Sequence, residues 1–242
     1  MKAMVFAAGL GTRLRPLTDN IPKALIPVNG VPMLERVLVK LKSSGFTEVI
    51  INVHHHTQQI IDFLKSKDNF GIHISISDES GLLLDTGGGL KKAAWFFNDG
   101  KPFLVHNVDI LSGIDLKKIY TEHLRNNSLA TLVVQKRKTD RLLLFDKNWD
   151  LIGWKNTLTG TIRMPDEKEV LYEYAFCGIH VINPELIKQI NREGVFSIID
   201  VYLEIIKDHI IKGIEIKNTF WTDIGNLQNL EEAESYFKQN FL

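Results

Sequence analysis

The chain has 242 residues, 44% of them hydrophobic, which is enough to bury a sizeable core within a single domain. Its 29 Lys and Arg balance 29 Asp and Glu, which excludes an overall field that would gather nucleic acid or an anionic membrane surface, so an anionic ligand has to be held by local groups. The one cysteine, Cys177, excludes an intrachain disulfide, and no apolar run approaches the roughly 20 residues of a membrane span.

From the N-terminus, AMVFAA (residues 3–8) reads as a buried first strand. Arg13, Arg15 and several prolines follow too soon for a secretory leader, which points to a cytoplasmic protein. Apolar runs then alternate with amphipathic stretches: MLERVLVKLKSSG, EVIINV, QQIIDFLKS, IHISIS, GGLKKAAWFF and PFLVHNVDI. Strand alternating with helix predicts an α/β fold, a mostly parallel sheet covered by helices. Pro32 suits a first helical turn and Gly45 a C-cap, which predicts a helix over 32–44, and Pro184 opens another that runs to about Ile190.

The second half is less regular. LATLVVQK, RLLLFD and YAFCGIHVI read as strands, and IIDVYLEIIKDHI and NLQNLEEAESYFKQNF as helices. Residues 148–173 mix turn formers with charge and read as a flexible or ligand-covering loop. No repeat or linker divides the chain, so residues 1–242 are expected to form one domain whose halves share a sheet. Cys177, flanked by Phe176 and Gly178 in an apolar run, reads as a small buried residue. His54, His55 and His56 are consecutive, and side chains of a strand alternate faces, so they read as a loop rather than a zinc site. KRK at 136–138 reads as a solvated face.

The richest stretch follows the first strand. A loop after a strand of an open parallel sheet is a favoured ligand position. Gly9 and Gly11 allow the backbone to approach a ligand, and Arg13 offers a fork of donors that matches phosphate oxygens. Neither GxGxxG nor GxxxxGK[ST] spacing is present, which counts against a nicotinamide site and a P-loop. Asp109 follows an apolar run at the end of an expected strand, and Asp223 lies in a similar setting; alone, each could be a helix cap.

The stretch GLGTRLRPLTDNIPKALIPVNGVPML (residues 9–34), with LDTGGGLKKA, NVDI and WTDIG further on, resembles the sugar-1-phosphate nucleotidylyltransferases. The resemblance implies a Rossmann-like three-layer α/β fold with a mixed, mostly parallel sheet. It also implies transfer of a nucleotidyl group from an NTP to a sugar 1-phosphate, releasing pyrophosphate, with small molecules as the only partners implied. By this resemblance residues 1–110 are mainly the nucleotide half and 111–242 mainly the sugar-phosphate half. Arg13 and Lys23 are the implied catalytic residues. Ala8, Gly9, Gly11, Thr12, Arg13, Glu79, Gly87 and Gly88 are implied for the nucleotide, with Glu79 at the base-reading position. Lys23, Asn107, Glu173 and Gly178 are implied for the sugar phosphate, and Asp109 with Asp223 for Mg²⁺. Val108 departs from the glycine that commonly stands there, and no EKP lysine aligns, which leaves Lys155 as a candidate anion contact. Chain length and the TGGG motif most resemble small bacterial uridylyltransferases acting on N-acetylmuramic acid 1-phosphate in cell-wall recycling. Mannose-1-phosphate guanylyltransferases using GTP are the alternative, and a silent sugar-nucleotide sensor is the reading from another class.

Overall fold

The computed structural model describes residues 1–240. These group into two compact units: Met1–Leu83 with His106–Asp115 and the chain from Thr219 onward, and Leu84–Val105 with Leu116–Asn218.

The first unit opens on β1 (Lys2–Phe6), followed by the glycine loop and a short hairpin of β2 (Pro27–Val28) and β3 (Val31–Pro32). Helix α1 (Met33–Ser43) buries Val37, Leu38 and Leu41, the 3–4 spacing of one helical face. It starts after Pro32 and ends where Gly45 takes φ 88°, its N–H donating to the Lys42 carbonyl (2.9 Å), close to the bounds expected from sequence. Next come β4 (Glu48–Val53), α2 (Thr57–Ser66) and β5 (His73–Asp78). Strands β1, β4 and β5 form a parallel ladder in that spatial order, with Phe6 opposite Asn52 and Asn52 opposite Ser77. Met4, Val5, Ile50 and Ile51 are fully buried, so β1 and β4 read as continuous apolar runs, whereas β5, HISISD, alternates.

The chain then enters the second unit with α3 (Asp85–Lys92) and comes back within β6 (Phe103–Asn107) to β7 (Ile110–Ser112). The second unit continues with α4 (Leu116–Arg125), β8 (Ala130–Gln135), β9 (Arg141–Phe145), β10 (Leu151–Asn156), β11 (Ile162–Arg163) and β12 (Tyr172–Ile182). Helices α5 (Glu185–Lys188) and α6 (Ile198–Ile205) and strand β13 (Ile211–Glu215) complete it. Here β12 pairs antiparallel with β8 and β9, β9 with β10 and β10 with β11, while β13 joins β8 in parallel. The expected α/β class holds, with the parallel ladder in the first unit and mainly antiparallel pairing in the second. The first unit closes with β14 (Trp221–Asp223), antiparallel to β7, and α7 (Leu227–Asn240). Phe241, the last residue expected in that helix, lies outside the described residues.

Three sequence expectations are corrected. Residues 148–173 are not one loop, because 151–156 and 162–163 form a β-hairpin and 172–173 begin β12, which leaves 164–171 as the longest stretch without regular structure. The turn formers that suggested a loop make its entry: the Asp146 carboxylate accepts from the N–H groups of Asn148 (2.8 Å) and Asp150 (3.0 Å). Helix α3 stops at Lys92, before the aromatic end of GGLKKAAWFF. Arg137 is not simply solvated, since it donates to the Phe176 carbonyl (3.0 Å). Cys177 is fully buried as expected, and that burial pushes its thiol up to about 12.

Candidate active site

The residues singled out for phosphate and metal chemistry converge within the first unit. Beyond β1, Gly11 takes φ 65° and opens a short 3-10 turn, Thr12–Leu14, which carries Arg13 into solvent. The Thr18 hydroxyl donates to the Gly11 carbonyl (2.9 Å), and a methyl on Gly11 would lie 2.9 Å from Thr18 Cγ2 and 3.0 Å from Lys23 Cβ. Gly11 is therefore required by the loop itself. Gly9 is different: a methyl there would meet nothing within 4 Å and its backbone needs no positive φ. The folded chain gives no reason for a glycine at position 9, so the open space beside it is available to a ligand.

Lys23 Nζ forms an ion pair with Asp109 Oδ2, with side chains 11% and 23% exposed. Asp109 stands just before β7, its carbonyl accepts from the Ile224 N–H (2.8 Å), and Asp223 is opposite Ile110 in the β7–β14 ladder. One antiparallel pair of short strands thus seats both aspartates. Next to them, a methyl built on the buried Gly225 would lie 2.5 Å from Asp223 Oδ1 and 3.0 Å from Arg13 Nη2. Arg13 and Asp223 consequently flank the same bare α-carbon. Two cations and two carboxylates are interleaved here, and Lys and Arg side chains in such a position can receive phosphate oxygens.

The donor set also fits a hard cation. No cluster of three or more His, Cys, Asp and Glu that could hold a metal occurs among the described residues. Two carboxylates with substrate phosphates completing the sphere is the usual arrangement for Mg²⁺. Val108 does not crowd the site, because its side chain is buried and its N–H donates to the Phe6 carbonyl (3.0 Å). Asn107 ends β6 half-buried, and its carbonyl lies 2.8 Å from His106 Nδ1. Ala8 is buried and Thr12 exposed. Arg15 is paired with Asp19 at 3.4 Å in an exposed loop.

Glu79 follows β5 but does not offer its carboxylate to the surface. It is fully buried, and Oε1 accepts from Asn52 Nδ2 (2.7 Å), while the other end of the Asn52 amide, Oδ1, accepts from the Ala7 N–H (2.8 Å). Direct reading of a base by this carboxylate does not fit such an arrangement. His54 Nδ1 lies 2.7 Å from the Glu79 carbonyl, so Nδ1 carries the proton. His56, at φ 56°, precedes α2.

In the second unit, Gly87 and Gly88 lie in the first turn of α3 where it packs on α6 and the segment before it. A methyl on Gly87 would lie 2.9 Å from the Phe196 carbonyl oxygen, one on Gly88 would overlap the Gly194 carbonyl, and both N–H groups donate to Phe196 (2.9 and 3.3 Å). That packing accounts for both glycines, and the face a side chain would occupy is not free for a nucleobase. Gly178, at φ 70°, sits where the β8–β12 register shifts between Phe176 and His180, a bulge that needs glycine. Glu173 is exposed on β12 with its Oε1 3.0 Å from Lys155 Nζ on β10.

A family model described as a nucleotidyl transferase matches residues 2–240. The chain belongs to that family. Among its nucleotidyltransferase relatives, "N-acetylmuramate alpha-1-phosphate uridylyltransferase" of Neisseria meningitidis serogroup B is 31% identical over 97% of each chain. The protein of the same name from Caulobacter vibrioides is 29% identical, over 96% of this chain and 95% of its own. "Mannose-1-phosphate guanyltransferase 2" of Candida glabrata is 26% identical over 99% of this chain but 65% of its own. The fold matches a "Putative Glucose-1-Phosphate Thymidylyltransferase from Bacillus anthracis" with a TM-score of 0.81 at 22% identity, over 100% of this chain and 97% of the other. Sequence reasoning had missed Asn52 and Gly225; a lone amide inside an apolar strand and a glycine two residues beyond an aspartate were the available signals. No helix among the described residues is long and apolar enough to cross a membrane.

Proposed function

We propose that this nucleotidyltransferase moves a uridylyl group from UTP to N-acetylmuramic acid 1-phosphate, releasing pyrophosphate, as a cytoplasmic step in the recycling of cell-wall sugars. The observation that carries the reaction is the interleaved quartet of Lys23 with Asp109 and Arg13 with Asp223 beside the glycine loop. The choice of UTP and the amino-sugar acid is supported by relatives matched along essentially their whole length.

In this reading an oxygen of the sugar 1-phosphate attacks the α-phosphorus of the NTP, and the bond from that phosphorus to the bridging oxygen breaks in line. The sugar phosphate is already ionised, so no side-chain nucleophile is needed. Ala8, Gly9, Gly11 and Thr12 carry the triphosphate on backbone close to Gly9, and Arg13 neutralises charge gathering on the leaving pyrophosphate. Lys23 serves the phosphates being joined; Asn107, Glu173 and Gly178 serve the sugar. Asp109 and Asp223 would hold Mg²⁺, which would polarise phosphate oxygens as a Lewis acid. Positioning and charge neutralisation supply most of the rate in such transfers.

The test is pyrophosphate release with Mg²⁺ for UTP, GTP, dTTP, CTP and ATP against N-acetylmuramic acid, N-acetylglucosamine, glucose and mannose 1-phosphates. Release with UTP and N-acetylmuramic acid 1-phosphate, lost in Asp109→Ala, is the expected result. Release only with GTP and mannose 1-phosphate would replace the substrates, a pairing supported by the guanyltransferase match along the whole of this chain. Silence with tight nucleotide binding would make the protein a sensor.

A further inference from the structure

We infer that Asn52 is a positioning residue for the phosphate loop, acting through a buried brace with Glu79. The inference rests on the reading of residues 8–13 as the loop that carries the triphosphate.

The three parallel strands β1, β4 and β5 end side by side, and Asn52 occupies the middle one, opposite Phe6 and Ser77. Its amide spans the gap in both directions. Oδ1 accepts the N–H of Ala7, the residue that leads from β1 into the glycine loop, and Nδ2 donates to Glu79 just beyond β5. Asn52 is 3% exposed and Glu79 is inaccessible to solvent. Only one orientation of the amide satisfies a backbone donor on one side and a carboxylate on the other, so Glu79 fixes the rotation of Asn52 and Asn52 fixes Ala7. Glu79 is itself pinned by its main chain: its N–H donates to the Val53 carbonyl (2.7 Å), and its carbonyl accepts from the Leu82 N–H (3.0 Å) and lies beside His54. The loop's first peptide is therefore registered against two neighbouring strands, while Gly9, two residues on, has nothing packed against it. A loop with an open glycine keeps its shape for a ligand only if its stem is held, and this brace holds the stem. Glu79 then contributes to nucleotide binding from behind the site.

The polarity of the brace gives a test that simple loss of packing does not mimic. In Asn52→Asp, the Ala7 N–H still has an acceptor but two carboxylate oxygens face each other across a buried gap. In the swap Asn52→Asp with Glu79→Gln, the donor and acceptor between positions 52 and 79 are exchanged and the Ala7 N–H keeps its acceptor. Three variants, Asn52→Leu, Asn52→Asp and the double swap, are assayed with the NTP and sugar phosphate that the wild type uses best. Amide hydrogen exchange over residues 7–13 is followed alongside. Expected are faster exchange in both single variants and a fall in kcat/KM for the NTP of about 10²-fold, with KM for the sugar phosphate changed by less than about twofold. In Asn52→Asp the loss deepens as pH rises, because the facing carboxylates must share a proton to coexist. The double swap regains protection and activity. Unchanged loop exchange in Asn52→Leu, or a double swap no better than Asn52→Asp, overturns the brace; failure to rescue with a folded double variant assigns Glu79 a direct contact instead. If Asn52→Leu does not fold, the two polar variants decide alone. A wild type that releases no pyrophosphate overturns the proposed reaction, while the exchange measurement still decides whether the brace exists.

Discussion

Lys155 Nζ lies 3.0 Å from Glu173 Oε1, on strands that flank β9 from either side. The sequence had offered both residues to the sugar side independently, and the fold places them together. With side chains 32% and 42% exposed, such a pair contributes little to stability, of the order of 0–1 kcal/mol. Lys155→Ala should leave the melting temperature nearly unchanged and raise KM for the sugar phosphate several-fold, with KM for the NTP unaffected. Steady-state kinetics in the best substrate pair provides the check, and an unchanged sugar-phosphate KM removes Lys155 from the site.

The charge quartet predicts a different pattern. Arg13 is exposed, so Arg13→Ala should largely preserve stability while lowering kcat on the order of 10²–10³-fold. Asp109→Ala should abolish turnover and, unlike Arg13→Ala, alter the fold's balance, because it strands Lys23, whose side chain is only 11% exposed. Chelating divalent cations should stop the wild type in the same assay. Full activity in excess chelator would remove Asp109 and Asp223 from any metal role.

Much of this was legible before the structure, and the reasons are local. Pro32 and Gly45 marked the ends of α1 because proline and glycine constrain the backbone wherever they stand, and the continuous apolar runs of β1 and β4 announced a sheet buried on both faces. Asp109 stood out as a carboxylate at the end of an apolar run, and the resemblance rather than that position separated a ligand role from a helix cap. What escaped depended on partners distant in sequence. Asn52 sits inside EVIINV, where nothing shows that 45 residues upstream an N–H waits for it. Gly87 and Gly88 looked like ligand-facing glycines, yet their neighbour is Phe196, over a hundred positions away. The β10–β11 hairpin was hidden because Asn, Asp and Gly mark hairpin turns and loops alike.

Two buried histidines set an acid limit on the fold. His106 and His123 are 1% and 2% exposed, and burial lowers each pKa to about 4. His123 Nδ1 is also within 2.9 Å of the Thr131 hydroxyl. Both folded values lie below the unfolded value near 6.5, so the unfolded chain binds more protons in between. The stability contributed by keeping these rings neutral is fully present above about pH 6.5 and is lost as pH falls towards 4. At pH 5 the loss is roughly 2 kcal/mol for each ring. Denaturant unfolding at pH 7 and pH 5 should show the drop, and His123→Gln, less stable at pH 7, should show a shallower one. An equal drop in that variant would place the acid sensitivity elsewhere.

Gly225 offers the sharpest separation of folding from function. It is buried, and the atoms a methyl there would meet are the ends of two side chains, Asp223 Oδ1 at 2.5 Å and Arg13 Nη2 at 3.0 Å, rather than backbone. Side-chain ends can swing aside, so Gly225→Ala should fold with a melting temperature close to that of the wild type. Both displaced groups belong to the quartet, however, and a shift of about 1 Å in such groups costs about 10²-fold in rate. The expected result is a large fall in kcat with stability retained, whereas Gly11→Ala, which combines φ 65° with contacts to Thr18 and Lys23, should lose both together. Thermal melts and pyrophosphate release on the two variants make the comparison. If Gly225→Ala keeps full activity, Arg13 and Asp223 do not need the positions they hold around this α-carbon, and the quartet loses its claim to carry the reaction.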